Sequence, residues 1–279
     1  MHSDDAPSVH IAGNPSQTDP VTRTLERQAG GLKGFDPIIE GNNNVTQALA
    51  DHAELALLHM ISSDPNRTPS FVLFANPDYF LFATGSTTPL CTPATDAASC
   101  FVQSRAFAWN HGDFQAEIVH TWLGVVGPGV RNLGRTGELL TDHTDIRPTI
   151  LSLAGLSDDY AHDGRVIFEM IQDNALPVPL RGHTKTLTQL AEAYKQLNAP
   201  TGKLGIATLT GMSTEALLGD DTTYAQLQAQ IVDLTNRRNE IAGKMIAILE
   251  NAAFNGQKID EVEAKGLIDQ AQALLESIQ

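Results

Sequence analysis

Ile118-Val119-His120-Thr121-Trp122-Leu123-Gly124-Val125-Val126 is an apolar run that closes in Gly127-Pro128-Gly129. After a connector come Thr141-Asp142-His143-Thr144-Asp145-Ile146-Arg147-Pro148 and Thr149-Ile150-Leu151-Ser152-Leu153-Ala154-Gly155. The first stretch is short, apolar and bounded by turn residues, which predicts a buried strand. The second predicts a helix capped by Thr144 or Asp145, with Pro148 in its first turn and Gly155 as its stop. Upstream, Phe71-Val72-Leu73-Phe74 predicts another buried strand. Strands alternating with helices argue for an α/β layer structure.

Outward from this centre the pattern changes in both directions. Residues 1–50 are rich in Pro, Gly, Asn, Asp and Thr, with one amphipathic stretch from Asp19 to Ala29 that Asp19 caps and Pro20 opens. The triple Asn42-Asn43-Asn44 reads as a loop. Residues 46–62 predict a helix carrying Ala48, Leu49, Leu55, Leu58 and Ile61 on or near one face. From His183 onward strand signals vanish. Lys185 to Leu197 reads as one helix. Leu227, Ile231, Leu234, Ile241, Met245, Ile248 and Ala252 then follow a 4-3 spacing broken only by Arg238. After a turn at Gly256, Leu267, Ala271, Leu274 and Ile278 continue it, with Asp260 and Glu263 as a capping pair. This predicts a helical hairpin over 222–279, packed like a short antiparallel coiled coil against its own chain or against a partner. The expected division is an α/β region over 1–182, of which 1–69 is a loop-rich and helical insertion, and a helical appendage over 183–279.

The composition narrows the function classes. Against 18 Lys+Arg stand 33 Asp+Glu, a net charge of −15, whereas nucleic acid and anionic membrane surfaces call for clustered Lys and Arg. Hydrophobic residues at 42% are enough for a core. The longest apolar candidate, Phe71 to Ala83, is cut by Asn76, Pro77 and Asp78, so no membrane span is expected. The opening Met-His-Ser-Asp-Asp-Ala-Pro has neither a basic start nor an apolar stretch and is not a signal peptide. The two cysteines, Cys91 and Cys100, flank a segment rich in Thr, Pro, Ala and Asp. They read either as a disulfide pinning a surface loop in an oxidising compartment or as two unrelated thiols.

Of the nine histidines, His2, His10, His52, His59 and His183 read as structural or solvated, and His120, alternating with apolar neighbours, as a core histidine. His111 differs. Gly112 follows it, so the backbone can approach another group closely, and it precedes the predicted strand, where binding groups concentrate on loops held by a rigid element. Asp113 and Glu117 are carboxylates suited to orienting its imidazole, as the outer carboxylates of metal-bound histidines do. The second titratable cluster is Asp142-His143-Thr144-Asp145. It reads as a helix cap with Asp142 and His143 solvated near a helix N-terminus, or, through His143 and Asp145 together with His111 and Asp113, as a self-contained site for zinc or a similar ion. Arg147 reads as an oxyanion ligand or as one half of a salt bridge.

Trp109 through His-Gly-Asp at 111–113, Ile118 to Val130, the Thr-Asp-His-Thr-Asp-Ile-Arg-Pro-Thr-Ile-Leu-Ser-Leu-Ala-Gly-Leu of 141–156 and Asp163-Gly164-Arg165 together resemble the C-terminal part of the alkaline phosphatase superfamily. The closest likeness is to its phosphodiesterase/nucleotide pyrophosphatase and sulfatase-like branches. The resemblance implies a layered, mostly parallel sheet with flanking helices. At one rim a two-zinc site would catalyse phosphoryl or sulfuryl transfer, with a Ser or Thr nucleophile attacking in line between the metals. It makes His111 the last ligand of one zinc.

The family's other ligands, three Asp and two His, and its nucleophile belong upstream of the matched region. This chain has no Asp-His-Gly turn there; Asp51-His52 has two of the letters but sits in a helical pattern. The expectation is therefore the C-terminal portion of an exported hydrolase of phosphoric or sulfuric esters, extracytoplasmic, with its export signal upstream. No catalytic residue of its own is assigned. Because a catalytic zinc needs about three protein ligands, this chain alone is expected neither to hold the metal nor to hydrolyse substrate. The rival from another class is a non-catalytic binding or scaffolding protein that self-associates through the hairpin.

Overall fold

The computed structural model describes residues 6–36, 41–77, 79–81 and 111–278. Cys91, Cys100 and Trp109 lie outside the described residues. In chain order the elements are β1 (Ser8–Val9), α1 (Pro20–Gly30), β2 (Lys33–Asp36), β3 (Gly41–Asn44), β4 (Thr46–Asp51), α2 (His52–Leu57), β5 (Phe71–Ala75) and α3 (Ala116–Val119). They are followed by α4 (Ile146–Ala154), α5 (Thr184–Asn198), α6 (Lys203–Ala207), α7 (Thr214–Leu218), α8 (Asp221–Asn255) and α9 (Glu261–Glu276). The chain is mixed α/β, and every strand pairing among the described residues is antiparallel: β1-β5-β4 in one sheet and β2-β3 in the other.

Two compact units divide the chain, the first Met1–Thr121 with Ile206–Asp233, the second Trp122–Gly205 with Leu234–Gln279. In the first, α1 starts as its sequence requires. Asp19 is extended and accepts the Val21 N–H at 2.8 Å, with Pro20 at the first helical position. The core gathers Leu49, Phe71, Leu73, Ala216, Leu217 and Tyr224. β4 is an edge strand, and a π-helical turn over Thr208–Ser213 closes that edge. Leu49 donates its N–H to Thr214 Oγ1 at 3.1 Å, and its carbonyl accepts from Ser213 Oγ at 2.8 Å. An edge so covered offers nothing to a stray strand.

Three expectations are corrected in this unit. Residues 46–62 do not form one helix. Thr46–Asp51 pairs with Phe71–Ala75, and only His52–Leu57 is helical. Ala48 and Ala50 on one face and Leu49 on the other are all buried, so the apolar pattern carries no strand alternation, and tertiary pairing overrides local propensity. The triple asparagine lies in β3, because Phe35 faces Asn42 in a hairpin register that supplies the backbone with partners. The run from Ile118 is no buried strand. One short helix, Ala116–Val119, gives way to extended chain in which His120 is exposed, Trp122 is 88% exposed and Val126 98%. Among the described residues, the backbone of 122–126 has no hydrogen-bonding partner.

The second unit begins where that chain docks. Gly127-Pro128-Gly129 turns, and Val130 bridges Ile171 antiparallel. Gln172 N–H reaches the Gly129 carbonyl at 2.8 Å, and Arg131 N–H reaches that of Met170 at 2.7 Å. α4 ends at Gly155, whose φ of +66° is the left-handed stop expected of it. The α5 helix covers the predicted 185–197 and buries Leu187, Leu190, Ala191, Tyr194 and Leu197. α9 lies along α5 through Ala264, Leu267, Ala271 and Leu274, and Asp260 caps it by accepting from Val262 and Glu263. The stretch expected to form a hairpin holds α8 and α9, and the apolar stripe of α9 is buried within the chain. Among the described residues no helix is long and apolar enough to cross a membrane.

Candidate functional site

His111 is exposed in the first unit, followed by Gly112 at φ +89°, a conformation that suits glycine. The turn is anchored from its C-terminal side. The Asp113 carboxylate accepts the Phe114 N–H at 2.8 Å, and the Phe114 ring meets the face of Phe74 edge-on at 5.4 Å. Gln115 Nε2 donates to the Ala75 carbonyl at 2.8 Å and to Gln47 Oε1 at 3.0 Å. His111 is therefore carried just beyond the C-terminal end of β5, on a loop tied to two strands. Asp51 does not present itself as half of a metal pair. It caps α2 through Ala53 N–H, and its carboxylate also accepts from Tyr224 Oη at 2.7 Å and Gln228 Nε2 at 3.0 Å, while His52 is exposed.

The Asp142–Asp145 cluster belongs to the second unit and is built differently from the sequence expectation. Asp145 stands at the N-cap position of α4, as one of the two residues expected there, but makes no side-chain cap bond to it. Asp142 caps the 3-10 turn His143–Asp145 that leads into α4: it accepts the Thr144 N–H at 2.9 Å, and Asp145 Oδ2 accepts the Asp142 N–H at 3.0 Å. This is a reciprocal capping box. Nor is Asp142 merely solvated. Lys195, on the buried face of α5, brings Nζ to Asp142 Oδ2 at 2.6 Å and to Asp145 Oδ1 at 3.1 Å. Burial alone would raise the Asp142 carboxyl, but the hydrogen bond and charge of Lys195, with the Thr144 bonds, hold it below the usual range. His143 and Thr144 are the exposed members of the cluster.

Asp145 also accepts the Arg165 N–H at 2.8 Å, and Thr149 Oγ1 accepts the Ile167 N–H at 3.0 Å. Between these bonds Gly164 lies against the Thr144 carbonyl so closely that a Cβ would fall 2.2 Å from it. Arg165 is itself buried and pairs with Glu169. Tyr194 Oη donates to the Asp163 carbonyl at 2.7 Å, and burial pushes its phenol upward. At the other end of α4, Gly129 has φ +78°, and its missing Cβ would lie 3.3 Å from Leu153 Cδ2. Residues 127–130, 142–155 and 163–167 are thus knitted into one block.

The carboxylates of that block do not fit a metal ion as they stand. The oxygens of Asp145 are taken by two backbone N–H groups and an ammonium, and those of Asp142 by Thr144 and the same ammonium. Zinc would compete with a resident cation for both. Among the described residues, no three His, Cys, Asp or Glu come together in a way that would hold a metal ion. His111 and Asp113 are the remaining candidates, and they belong to the other unit.

Sequence reasoning missed three features. The first is Lys195, signalled only by a charge on the stripe that otherwise buries Leu187, Leu190, Ala191 and Tyr194. The second is a cleft of about 310 Å³ in the second unit, lined among others by Asp158, Tyr160, His162, Glu250 and Phe254. Arg147 pairs with Asp158 there and stands 4.6 Å over the Tyr160 ring, which makes it a salt-bridge residue and not an anion ligand. His162 Nε2 lies 3.1 Å from Asp158 Oδ1, and the imidazole stacks on Phe254. The third is a buried ionic group in the first unit, formed by Arg23, Glu26 and Asp51. No family model, no curated protein and no solved structure matches this chain.

Proposed function

We propose that this chain is the C-terminal portion of a two-zinc phosphoric- or sulfuric-ester hydrolase of the alkaline phosphatase superfamily, of the phosphodiesterase or phosphatase type. On this reading the nucleophile and most of the metal ligands lie on other polypeptide. The observation that carries the reading is the block described above. The Gly-Pro-Gly turn, the Asp-Ile-x-Pro-Thr helix and Asp163-Gly164-Arg165 are three separate pieces of the resemblance, and Gly129, Asp145 and Gly164 join them by contacts that need those residue types. An ordered motif whose pieces depend on one another is harder to reach by chance than three short matches. The exposed, unpaired apolar chain at 122–126 supports the same reading, since it has the composition of a strand whose sheet neighbours are elsewhere. The layered, mostly parallel sheet is proposed for the complete protein on that ground.

In the complete enzyme His111 would supply one zinc ligand from the loop at the end of β5. The metals would hold the attacking and leaving oxygens of the ester. This chain's own part is to fix that loop through Phe114 and Gln115.

The DNA upstream of codon 1 tests the reading. An open frame should continue through an Asp-His-Gly and a Ser or Thr nucleophile; an in-frame stop shortly upstream overturns it. The polypeptide so extended should hydrolyse bis(p-nitrophenyl) phosphate with zinc. His111→Ala should lower that activity by more than the ~10–100-fold typical of losing an outer-shell partner, whereas the chain alone should show no turnover.

A further inference from the structure

The first unit buries more negative than positive charge. Glu26 and Asp51 are both 0% exposed, and the only buried cation beside them is Arg23 at 2%. Arg27, the next cation on α1, is half-exposed and directed to Asp221 and the Gly219 carbonyl. Arg23 ties α1 to α7 and to the start of α8. Its guanidinium pairs with Glu26 Oε2, donates to the carbonyls of Ala216 at 3.0 Å and Gly219 at 3.3 Å, and stands 3.8 Å over the Tyr224 ring.

The two carboxyls are served unequally. Asp51 receives Tyr224 Oη, Gln228 Nε2 and Ala53 N–H, donors that favour its anion although burial raises its carboxyl too. Glu26 has one oxygen on Arg23, and the other, Oε1, is buried with no hydrogen-bonding partner. A bare carboxylate oxygen in the interior costs far more than the same atom in a neutral acid. Arg23 cannot release its proton, so the imbalance is relieved only at a carboxyl.

We propose that Glu26 is held as a neutral carboxylic acid in the folded chain and acts as a pH-sensitive latch, its ionisation loosening the junction of α1 with α7 and the start of α8. The other charged and titratable groups near it are few. On α1 there are only Arg23 and Arg27, and on β4 Asp51. The nearest acid of α2, Glu54, is committed to Thr208. From α7 come the carbonyls of Ala216 and Gly219, from α8 Asp221, Tyr224 and Gln228, and β5 has no titratable side chain. Burial, then the nearby Asp51 charge, push the Glu26 carboxyl up to about 8 against the pull of Arg23.

The sign follows from that direction. The unfolded chain releases the proton near 4.5 and the folded chain near 8, so the folded state binds more protons across that window. Stability from this group is complete below the lower value and falls as pH rises toward the higher one. Within the window the opening equilibrium should shift by at most about tenfold per pH unit.

Infrared difference spectra and hydrogen exchange on the full chain test this. The wild-type protein at about pH 6 should show a carboxylic-acid C=O band that disappears by about pH 9. Over the same range the α1 amides should lose protection, after correction for intrinsic exchange. In Glu26→Gln the band and the excess pH dependence should both be absent. Absence of the band from the wild type overturns the proposal, and this result does not depend on any variant folding. So does its persistence in Glu26→Gln, or an unchanged pH slope in that variant. Loss of the band in Asp51→Asn but not in Glu26→Gln would assign the proton to Asp51 and equally overturn it.

Discussion

Each unit sets two carboxylates beside one cation, yet the carboxyls shift in opposite directions. In the second unit Lys195 touches both Asp142 and Asp145, and the N–H groups of Asp142, Thr144 and Arg165 supply the rest of the coordination. In the first, Arg23 pairs with Glu26 and, at 3.8 Å, with the exposed Asp221, while Asp51 is met by the hydroxyl of Tyr224, whose ring Arg23 covers. The Asp142 carboxyl is accordingly held low, whereas Glu26 is raised to about 8 and Asp51 is raised too, all three against the same upward push of burial. Burial sets the cost in both places. The Asp142 anion is kept by a cation that both touches and neutralises it, whereas the neutral donors of Asp51 do not offset its burial.

The strongest way to break the contrast is to remove the shared cation. Lys195→Met leaves Asp142 and Asp145 inside without a counter-charge and should destabilise the protein by about 3–5 kcal/mol, the cost of stripping one partner from a buried pair; urea denaturation reads it. The loss should shrink in acid, where the stranded carboxyls accept protons. Gly164→Ala attacks the same block without touching a charge. Its Cβ meets backbone atoms of Thr144 at 2.2 Å and not a flexible side-chain tip, so about 1–3 kcal/mol is expected, with the cap distances disturbed in a crystal structure of the variant.

Asp142→Asn sharpens the comparison by its sign. A carboxyl lowered from 3.8 stabilises the fold above that value and ceases to as pH falls through its folded pKa. The wild type should therefore lose stability on the acid side, opposite to the trend assigned to Glu26. Asp142→Asn should flatten this acid limb at a cost of about 1 kcal/mol near neutrality, visible in melting temperature against pH. If the two limbs prove to have the same sign, the account of the two networks fails.

What could be read from the chain in advance had a local cause. Asp19-Pro20 starts α1 and Asp260 starts α9, and Gly155 stops α4, because caps and stops join atoms a few residues apart. Phe71–Ala75 was legible as a strand from its unbroken apolar run. Its neighbour over 46–51 was not, since a doubly buried strand rich in alanine has no alternation to reveal it. The run at 118–126 misled in the opposite direction: its residues suit a strand, but pairing requires a neighbour, and among the described residues none is offered. In the candidate site, the turn at His111-Gly112 was legible from its residue types, but nothing near Asp142 in the chain announced its contact with Lys195, fifty-three positions away.

The amino-acid order by itself determined where α1 and α9 begin, where α4 stops, and the ordered motif from His111 to Arg165. Only the tertiary structure decided which carboxylates meet a cation, that Gly129 and Gly164 admit close approach of Leu153 and Thr144, and that an apolar run lies open to water. The reason is one of range. Caps and turns are closed by bonds within a single turn of chain, but ion pairing, glycine contacts and strand pairing depend on what folding brings alongside, and one segment carries no record of its neighbour.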